Sequence, residues 1–486
     1  MKGMDSRLPT ANRSSSVLVD YNPGFDDSML SEIHLSRFSE NSLHSDDQVN
    51  EWVTKKLSER HLVVNKIPLS SLDRWSIDHE TGNIQHDSGR FFSITGIKAR
   101  HRTVNDELEW GQPMIDQPEI GILGILAKTI NGTLHFCLQA KEEPGNINSV
   151  QLSPAVQATY SNYTCVHGGI SPLFVEYFLS PSSDKVIFSK LQTEDGGRFL
   201  FKSNRNMIIR VGNDELNDLP NDFIWLTLHQ IARLLSRDNL IHATTRSILS
   251  SMFATSPLKN LATAGDPQGY SRIDNCPPGT ISRTIQWLDD MKAVNHMYTK
   301  REPLNSLTAW NIDDEGFFSR GDKRFFRILG LDVRAAGREV VSWRQPILEN
   351  PETGVIGMLI KTQNNIPYYL MHAKAEAGNR PTVQLAPTVQ FTPGNYLRNL
   401  NLPKPFLFYE FSNNHTFELF SESLQSEEGA RFYKEQHLHR VMILPEGVDL
   451  EVPPDYRWLT GAEIQFFLHI GETVNSCARS LLACLL

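Results

Sequence analysis

The apolar positions of this chain change period in a fixed order, and the order occurs twice. Around Trp52 (EWVTKKLSERH) and again around Trp287 (QWLDDMKAVNHM), apolar residues recur at helical spacing in an otherwise charged segment, which predicts an amphipathic helix. A Pro-containing turn follows each helix (NKIPLSSLDRW; KREPLNSLTAW). Short β-rich runs come next: FFSITGIKAR is matched by RFFRILGLDVR, IGILGILAKT by GVIGMLIKT, and TLHFCLQAKE by PYYLMHAKAE. Each series ends in a segment that reads as one long helix. It opens on a capping-box pattern, Thr227-x-x-Gln230 or Thr460-x-x-Glu463, and carries Arg246-Ser247 or Arg479-Ser480 near its end. The predicted class is α+β, a mixed sheet of α/β/α type flanked by helices and built twice as an internal pseudo-dimer.

The two series are copies of one sequence. Trp52, Pro68, Trp75 and Asp78 recur 235 positions later as Trp287, Pro303, Trp310 and Asp313. At a spacing of 233, residues 112–163 align without a gap to 345–396, with 24 identities in 52 positions. Unrelated sequences would share roughly three, so what both copies kept reports constraint. Residues 1–27, rich in Ser, Asn and Pro, read as a flexible leader. The first copy spans 28–255, a Gly- and Pro-rich linker spans 256–280, and the second copy spans 281–486.

Composition narrows the class. With 40% hydrophobic and 21% charged residues the chain is an ordinary globular protein, and its formal net charge of −9 disfavours nucleic acid or an anionic membrane as main partner. Five cysteines form no CxxC pair and read as reduced thiols. No apolar run is long enough to cross a membrane and the N-terminus lacks a signal-like apolar core, so a cytoplasmic location is expected.

Several common chemistries lack their motifs. There is no G-x-G-x-x-G, no Walker A sequence, no G-x-S-x-G elbow and no Tyr-x-x-x-Lys, and HETGN at 79–83 is not HExxH. No spacing suggests an intrinsic metal site. A reaction that needs no bound cofactor is favoured.

The densest shared block is KEEPGNINSVQLSPAVQATYSNY against KAEAGNRPTVQLAPTVQFTPGNY. Read as one strand from Val150 to Thr159, it alternates an apolar face with a polar, uncharged face of Gln151, Ser153, Ala155, Gln157 and Thr159. Gln384 and Gln390 occupy the matching positions of the second copy. Such a face either hydrogen-bonds a neutral polyol or base, or fixes the sheet by cross-strand Gln pairs. Lys141, Glu143 and Asn146, matched by Lys374, Glu376 and Asn379, supply a cation and a carboxylate two residues apart, then a turn. They suit anchoring a phosphate and holding a hydroxyl or moving a proton, and equally a solvated ion pair. Trp75 and Trp310 could stack on a base or fill the core. Arg90 and Arg324, with Arg100 and Arg334, are phosphate candidates or surface charges. His79, His101, Tyr160, Tyr368 and His372 have no counterpart of the same type in the other copy, so they mark where the copies diverge.

The doubled pattern Trp-x-Ile-Asp, Arg-Phe-Phe, Trp-x-Gln-Pro-x-Ile, Lys-x-Glu-x-Gly-Asn and Val-Gln-Leu-x-Pro-x-Val-Gln-x-Thr resembles the NDP-hexose 2,3-dehydratases of deoxysugar pathways, over nearly the whole chain outside leader and linker. The resemblance implies tandem Nudix-like domains, although neither copy carries the Glu-rich metal box of Nudix hydrolases. It implies loss of the C2 hydroxyl from dTDP-4-keto-6-deoxy-D-glucose after C3 proton abstraction, with no cofactor. It also implies a cytoplasmic homodimer and a separate NADPH-dependent 3-ketoreductase that takes up the product. On this footing Lys141, Glu143, His79 and Tyr163 are the catalytic candidates. Trp75, Arg90, Asn146, Gln151, Gln157, Thr159, Trp310, Arg324, Lys374, Glu376, Gln384, Gln390 and Tyr396 are the binding candidates, in two pockets of which one works.

Overall fold

The protein is described here by a computed structural model covering residues 25–59, 61–104, 106–159, 171–255, 279–336, 340–398, 402–412 and 416–486. Each half builds a seven-stranded mixed sheet. In the first half Ile122–Ile130 lies at the centre, parallel to Ser203–Arg210 and antiparallel to Thr133–Glu142, with Val186–Thr193 and Phe223–Thr227 outside them. Residues 122–128 are all buried, which is why the run reads as continuously apolar rather than alternating. Gly354–Gln363, Gln436–Ile443 and Ile366–Ala375 repeat the arrangement in the second half. Among the described residues no helix is long and apolar enough to cross a membrane.

The central hairpin splits, and the split prepares the site. Ile122–Ile130 and Thr133–Glu142 stay paired only as far as Leu126 and Cys137. Beyond that point Ile122–Gly124 pairs with Val156–Ala158, while Leu138–Glu142 pairs with Val150–Pro154. The segment expected as one strand from Val150 to Thr159 is therefore two strands broken at Ala155, because its ends follow two diverging neighbours. The expected polar face is divided too. Gln151 is fully buried, whereas Gln157 faces the gap.

The terminal helix of each copy is also two helices, Leu228–Leu235 with Ala243–Leu249 and Gly461–Ile470 with Ser476–Ala483. Both capping boxes form as the sequence indicates. Between the helices the chain turns through Asn239 at φ 55° and Gly471 at φ 89°. His242 and Asn475 then cap the second helix of each pair.

The halves are interlocked. Leu62–Ile67 of the first copy pairs antiparallel with Arg327–Ala335 of the second, and His296–Glu302 of the second pairs with Ser93–Arg102 of the first. Each five-stranded sheet thus contains one strand from the other copy. The repeated Arg-Ser pairs sit on the pseudo-two-fold axis. Arg246 donates to Ser480 Oγ (2.7 Å) and the Ser426 carbonyl, and Arg479 donates to Ser247 Oγ (2.9 Å) and the Thr193 carbonyl. Both guanidinium groups are buried, and burial pushes Arg479 down to about 10.

A second pair of crossings joins turns to loops. The Gly145 amide donates to the Gly429 carbonyl (2.7 Å) and the Lys434 amide to the Gly145 carbonyl (2.8 Å); Gly378 meets Gly196 and Phe201 in the same way. A Cβ at Gly145 would overlap the Phe432 carbonyl oxygen, so backbone packing requires glycine there. Gly145→Ala is expected to cost on the order of 3 kcal/mol, the upper end of overpacking penalties. Thermal melting checks this against Gly321→Ala, where a Cβ would meet only Asn311 Oδ1 at 3.9 Å.

Candidate active site

The gap in the first half's sheet opens into a cavity of about 170 Å³. Lys141 and Glu143 project into it from the end of Thr133–Glu142, and Gln157 and Thr159 from the strand across the split. Glu194, Lys202 and Asn204 come from the Val186–Thr193 and Ser203–Arg210 side. The loop after the second half's Glu418–Ser426 strand adds Glu428, Ala430 and Arg431. The cavity is therefore composite, three acids and three cations drawn from both halves.

Its inner wall is a chain of charge-assisted hydrogen bonds. Lys141 Nζ lies 3.1 Å from Glu143 Oε1 and donates to Gln157 Oε1 at 2.7 Å; Gln157 Nε2 reaches Glu428 Oε1 at 3.4 Å. Glu143 Oε2 is 2.9 Å from His242 Nε2, and His242 is 0% exposed. The Thr244 amide donates to His242 Nδ1 (3.2 Å), which leaves Nε2 to donate to Glu143. Burial penalises the Glu143 charge, but Lys141 and His242 outweigh it and hold the carboxyl well below the usual range. Glu428 shifts the other way. Burial raises it, Arg431 opposes, and Glu143 and Glu194 push it further up. Burial brings Lys202 down to about 8 against the pull of Glu194, Glu428 and Glu119, with Arg431 adding to the descent.

The second half repeats the frame with different contents. Lys374 Nζ lies 2.6 Å from Glu376 Oε1, Gln390 Nε2 donates to the same oxygen at 3.0 Å, and Asn475 stands where the first half has His242. Glu435 replaces Lys202 and His437 replaces Asn204 at the 233 spacing. His437 pairs with Glu427 at 3.2 Å, and Glu435 lies 3.7 Å from Arg198. At these positions the second half thus carries ion pairs where the first has Lys202 and Asn204.

The remaining candidates are placed as follows. Asn146 ties its turn to the Ser149 carbonyl (2.8 Å), and Gln151 donates to the Asn239 carbonyl (3.0 Å) and to Ser426; both stand behind the cavity wall. Gln384 is likewise buried and accepts from Thr193 Oγ1 at 3.0 Å. Tyr396 packs on Phe391 and Phe408. Trp75 and Trp310 belong to the core of the small sheets, their indole N–H groups donating to the Arg344 and Gly111 carbonyls of the opposite copy. Arg324 pairs with Asp322, Arg90 is exposed, and His79 lies on the turn after Trp75–Ile77; none of these lines the cavity. Tyr160 and Tyr163 lie outside the described residues. His101 meets Asn295 at 3.2 Å beside the exchanged strand, and His372 stacks on Tyr456 with Asp455 3.1 Å away.

Glu194, Lys202, His242, Glu428 and Arg431 were not singled out from sequence. Two of them carried a usable signal, since Lys202 faces Glu435 and His242 faces Asn475 in the self-alignment. Among the described residues no group of three or more His, Cys, Asp or Glu side chains could hold a metal ion.

Comparison with known proteins gives a consistent result. The family profile described as NDP-hexose 2,3-dehydratase matches residues 46–252 and again 281–485. Three curated relatives, each named dTDP-4-dehydro-6-deoxy-alpha-D-glucopyranose 2,3-dehydratase, align over most of both chains. The protein of Amycolatopsis orientalis is 37% identical over 446 residues, 90% of each chain. That of Saccharopolyspora spinosa is 38% identical over 445 residues, 89% of this chain and 90% of its own. That of Streptomyces violaceoruber is 36% identical over 438 residues, 89% of this chain and 95% of its own.

Proposed function

The chain belongs to the NDP-hexose 2,3-dehydratase family, and from that premise we propose that it dehydrates dTDP-4-dehydro-6-deoxyglucose in the first-half cavity alone. It is a hydro-lyase acting on a sugar nucleotide. The observation that carries the choice of half is the set of exchanges between equivalent positions, Lys202 for Glu435 and His242 for Asn475. The second half has an acid where the first has a cation, which disfavours a diphosphate, and its His437 and Glu435 are engaged with Glu427 and Arg198.

At about 170 Å³ the cavity is below the roughly 300–1,000 Å³ of a pocket that encloses a drug-sized ligand. It takes the sugar ring and leaves the nucleotide outside, with Arg431, whose Nη groups now donate to the Ala430 carbonyl (3.0 Å) and Gln117 Oε1 (3.1 Å), as the guanidinium that phosphate would recruit. The C4 ketone acidifies C3–H, and the transition state gathers charge on O4. Lys141, ion-paired with Glu143 at 3.1 Å, donates to that oxygen. The C2 hydroxyl then leaves as water, for which Glu428 carries the proton, because burial beside Glu143 and Glu194 favours its neutral form. The resulting enol becomes the 3,4-diketone. Such a product is reactive and suits immediate reduction by a separate NADPH-dependent 3-ketoreductase.

A Nudix-like origin of each half belongs to the same reading. It is supported by the mixed sheet with its parallel central pair and the helix that follows the last strand. Neither copy retains the Glu-rich metal box, which suits elimination better than diphosphate hydrolysis.

Substituting the second half's residue into the first tests the assignment. His242→Asn removes a hydrogen bond to a charged group, about 1.5–3 kcal/mol, so kcat is expected to fall roughly 10- to 100-fold. Asn475→His should leave the rate unchanged. Activity is read as a 2-deoxy sugar nucleotide, by mass, after trapping with a 3-ketoreductase and NADPH. Equal losses in the two variants would overturn the assignment.

A further inference from the structure

We propose that Lys202 is the base that removes the C3 proton. The proposal rests on the reading that elimination occurs in the first-half cavity. Lys202 lines that cavity together with Lys141, Glu143 and Glu428, and it is only 4% exposed. Its Nζ donates to the Glu119 carbonyl, and the other charged groups that face it are Glu194, Glu428 and Arg431. Among the described residues no carboxylate lies within ion-pair distance of it, whereas Lys141 is paired with Glu143. The two lysines therefore differ in setting: Lys141 Nζ is ion-paired with Glu143 Oε1 at 3.1 Å, and burial brings Lys202 down to about 8.

The other groups in the cavity serve less well. Glu143 sits between Lys141 and His242, which hold its carboxyl well below the usual range, so it has little affinity for a proton. His242 is enclosed behind Glu143 and does not line the cavity. Burial raises Glu428 above the usual carboxyl range, with Glu143 and Glu194 adding to the rise, which suits the acid role. A base works best when its pKa is near the working pH, and Lys202, at about 8, meets that condition.

The steps balance without an outside acid or base. Neutral Lys202 Nζ takes the proton from C3, and the C–H electron pair forms the C3–C4 enolate, whose oxygen Lys141 stabilises. The C2–O bond breaks as Glu428 gives its proton to the departing hydroxyl, releasing water. The Lys202 ammonium then protonates C2 while the C3 enol hydroxyl returns a proton to Glu428. Both residues end as they began. The second half has Glu435 at the Lys202 position and Asp195 at the Glu428 position, so it lacks this pair.

The full-length protein is tested with the 2-deoxy analogue of the substrate, which has no leaving group, by following deuterium uptake at C3 in D2O by mass. In the wild type uptake should rise with pH and level off above about pH 8, because the protonated amine is inactive. Lys202→Met and Lys202→Arg should both lose uptake by at least about 10²-fold, while dTDP affinity by calorimetry stays within a few-fold. The arginine variant keeps the charge and cannot lose its proton. It decides the matter if the methionine variant fails to fold. Uptake within tenfold of wild type in Lys202→Arg, a flat wild-type pH profile, or absence of wild-type uptake would overturn the proposal. A loss of dTDP affinity matching the loss of uptake would also overturn it, since that assigns Lys202 to binding. Failure of the underlying reading looks different: dehydration would survive substitution at Lys141 and Lys202 and disappear on substitution at Lys374.

Discussion

Lys141→Met is expected to lower kcat for dehydration by about 10²–10³, the usual cost of removing one oxyanion donor, while Lys374→Met stays within about threefold of wild type. The two lysines are equivalent by descent and nearly so in immediate geometry. Each is bound to the Glu two residues on, at 3.1 Å and 2.6 Å. Their surroundings separate them. Lys141 faces an open cavity in which Lys202 and Arg431 balance Glu194 and Glu428. In the second half Glu435 stands at the Lys202 position, with Arg198 already engaged by Glu435 and His437 by Glu427. A developing negative charge on O4 is favoured in the first setting and repelled in the second. Steady-state kinetics with the ketoreductase coupled, separating kcat from KM, checks the prediction. A loss confined to KM for Lys141→Met would make it a binding group instead.

How much of this was legible in the sequence depends on whether the informative partner was local. The capping boxes at Thr227 and Thr460 form as read because a capping box is written within four residues. The Lys141–Glu143 pair forms for a similar reason, since alternate residues on a strand share a face. Alternation assigns Gln151 and Gln157 to one polar surface, yet they lie on two strands that follow diverging neighbours, and periodicity within a segment cannot register what its ends pair with. The aromatic positions Trp75 and Trp310 carry the same ambiguity. A base platform and a core plug have the same composition, and only the Arg344 and Gly111 carbonyls of the opposite copy decide between them.

Glu428 and Arg431 were beyond reach for a topological reason. They enter the first cavity from the second copy, and a sequence that pairs a strand with its own sheet looks the same as one that lends it to a neighbour. Lys202 and His242 were within reach. Comparing the copies for changes of charge at shared positions, rather than for identities, would have drawn attention to both.

The interlocking gives a second large effect. Residues 25–255 and 279–486, produced as separate chains, are each expected to be insoluble or unfolded alone and to copurify as a folded complex when made together. A half in isolation presents Leu62–Ile67 or His296–Glu302 with no strand to pair with and leaves an edge of the other small sheet open. It also strands a buried guanidinium. Arg246 loses Ser480 and the Ser426 carbonyl, and Arg479 loses Ser247 and the Thr193 carbonyl. Leaving one buried charge without its partners costs about 3–5 kcal/mol. That is comparable to the whole stability of a modest domain, about 5–15 kcal/mol, before the lost strand is counted. An affinity tag on one half, size-exclusion chromatography and melting of the product test this. Either half behaving alone as a soluble monomer with a cooperative melt near that of the intact chain would show that the exchanged strands and crossed arginines are decoration on two self-sufficient domains. The expected outcome instead makes the second half a structural requirement for the first half's site, and with chemistry assigned to the first half this accounts for the Lys374, Glu376 and Gln390 frame kept in the second.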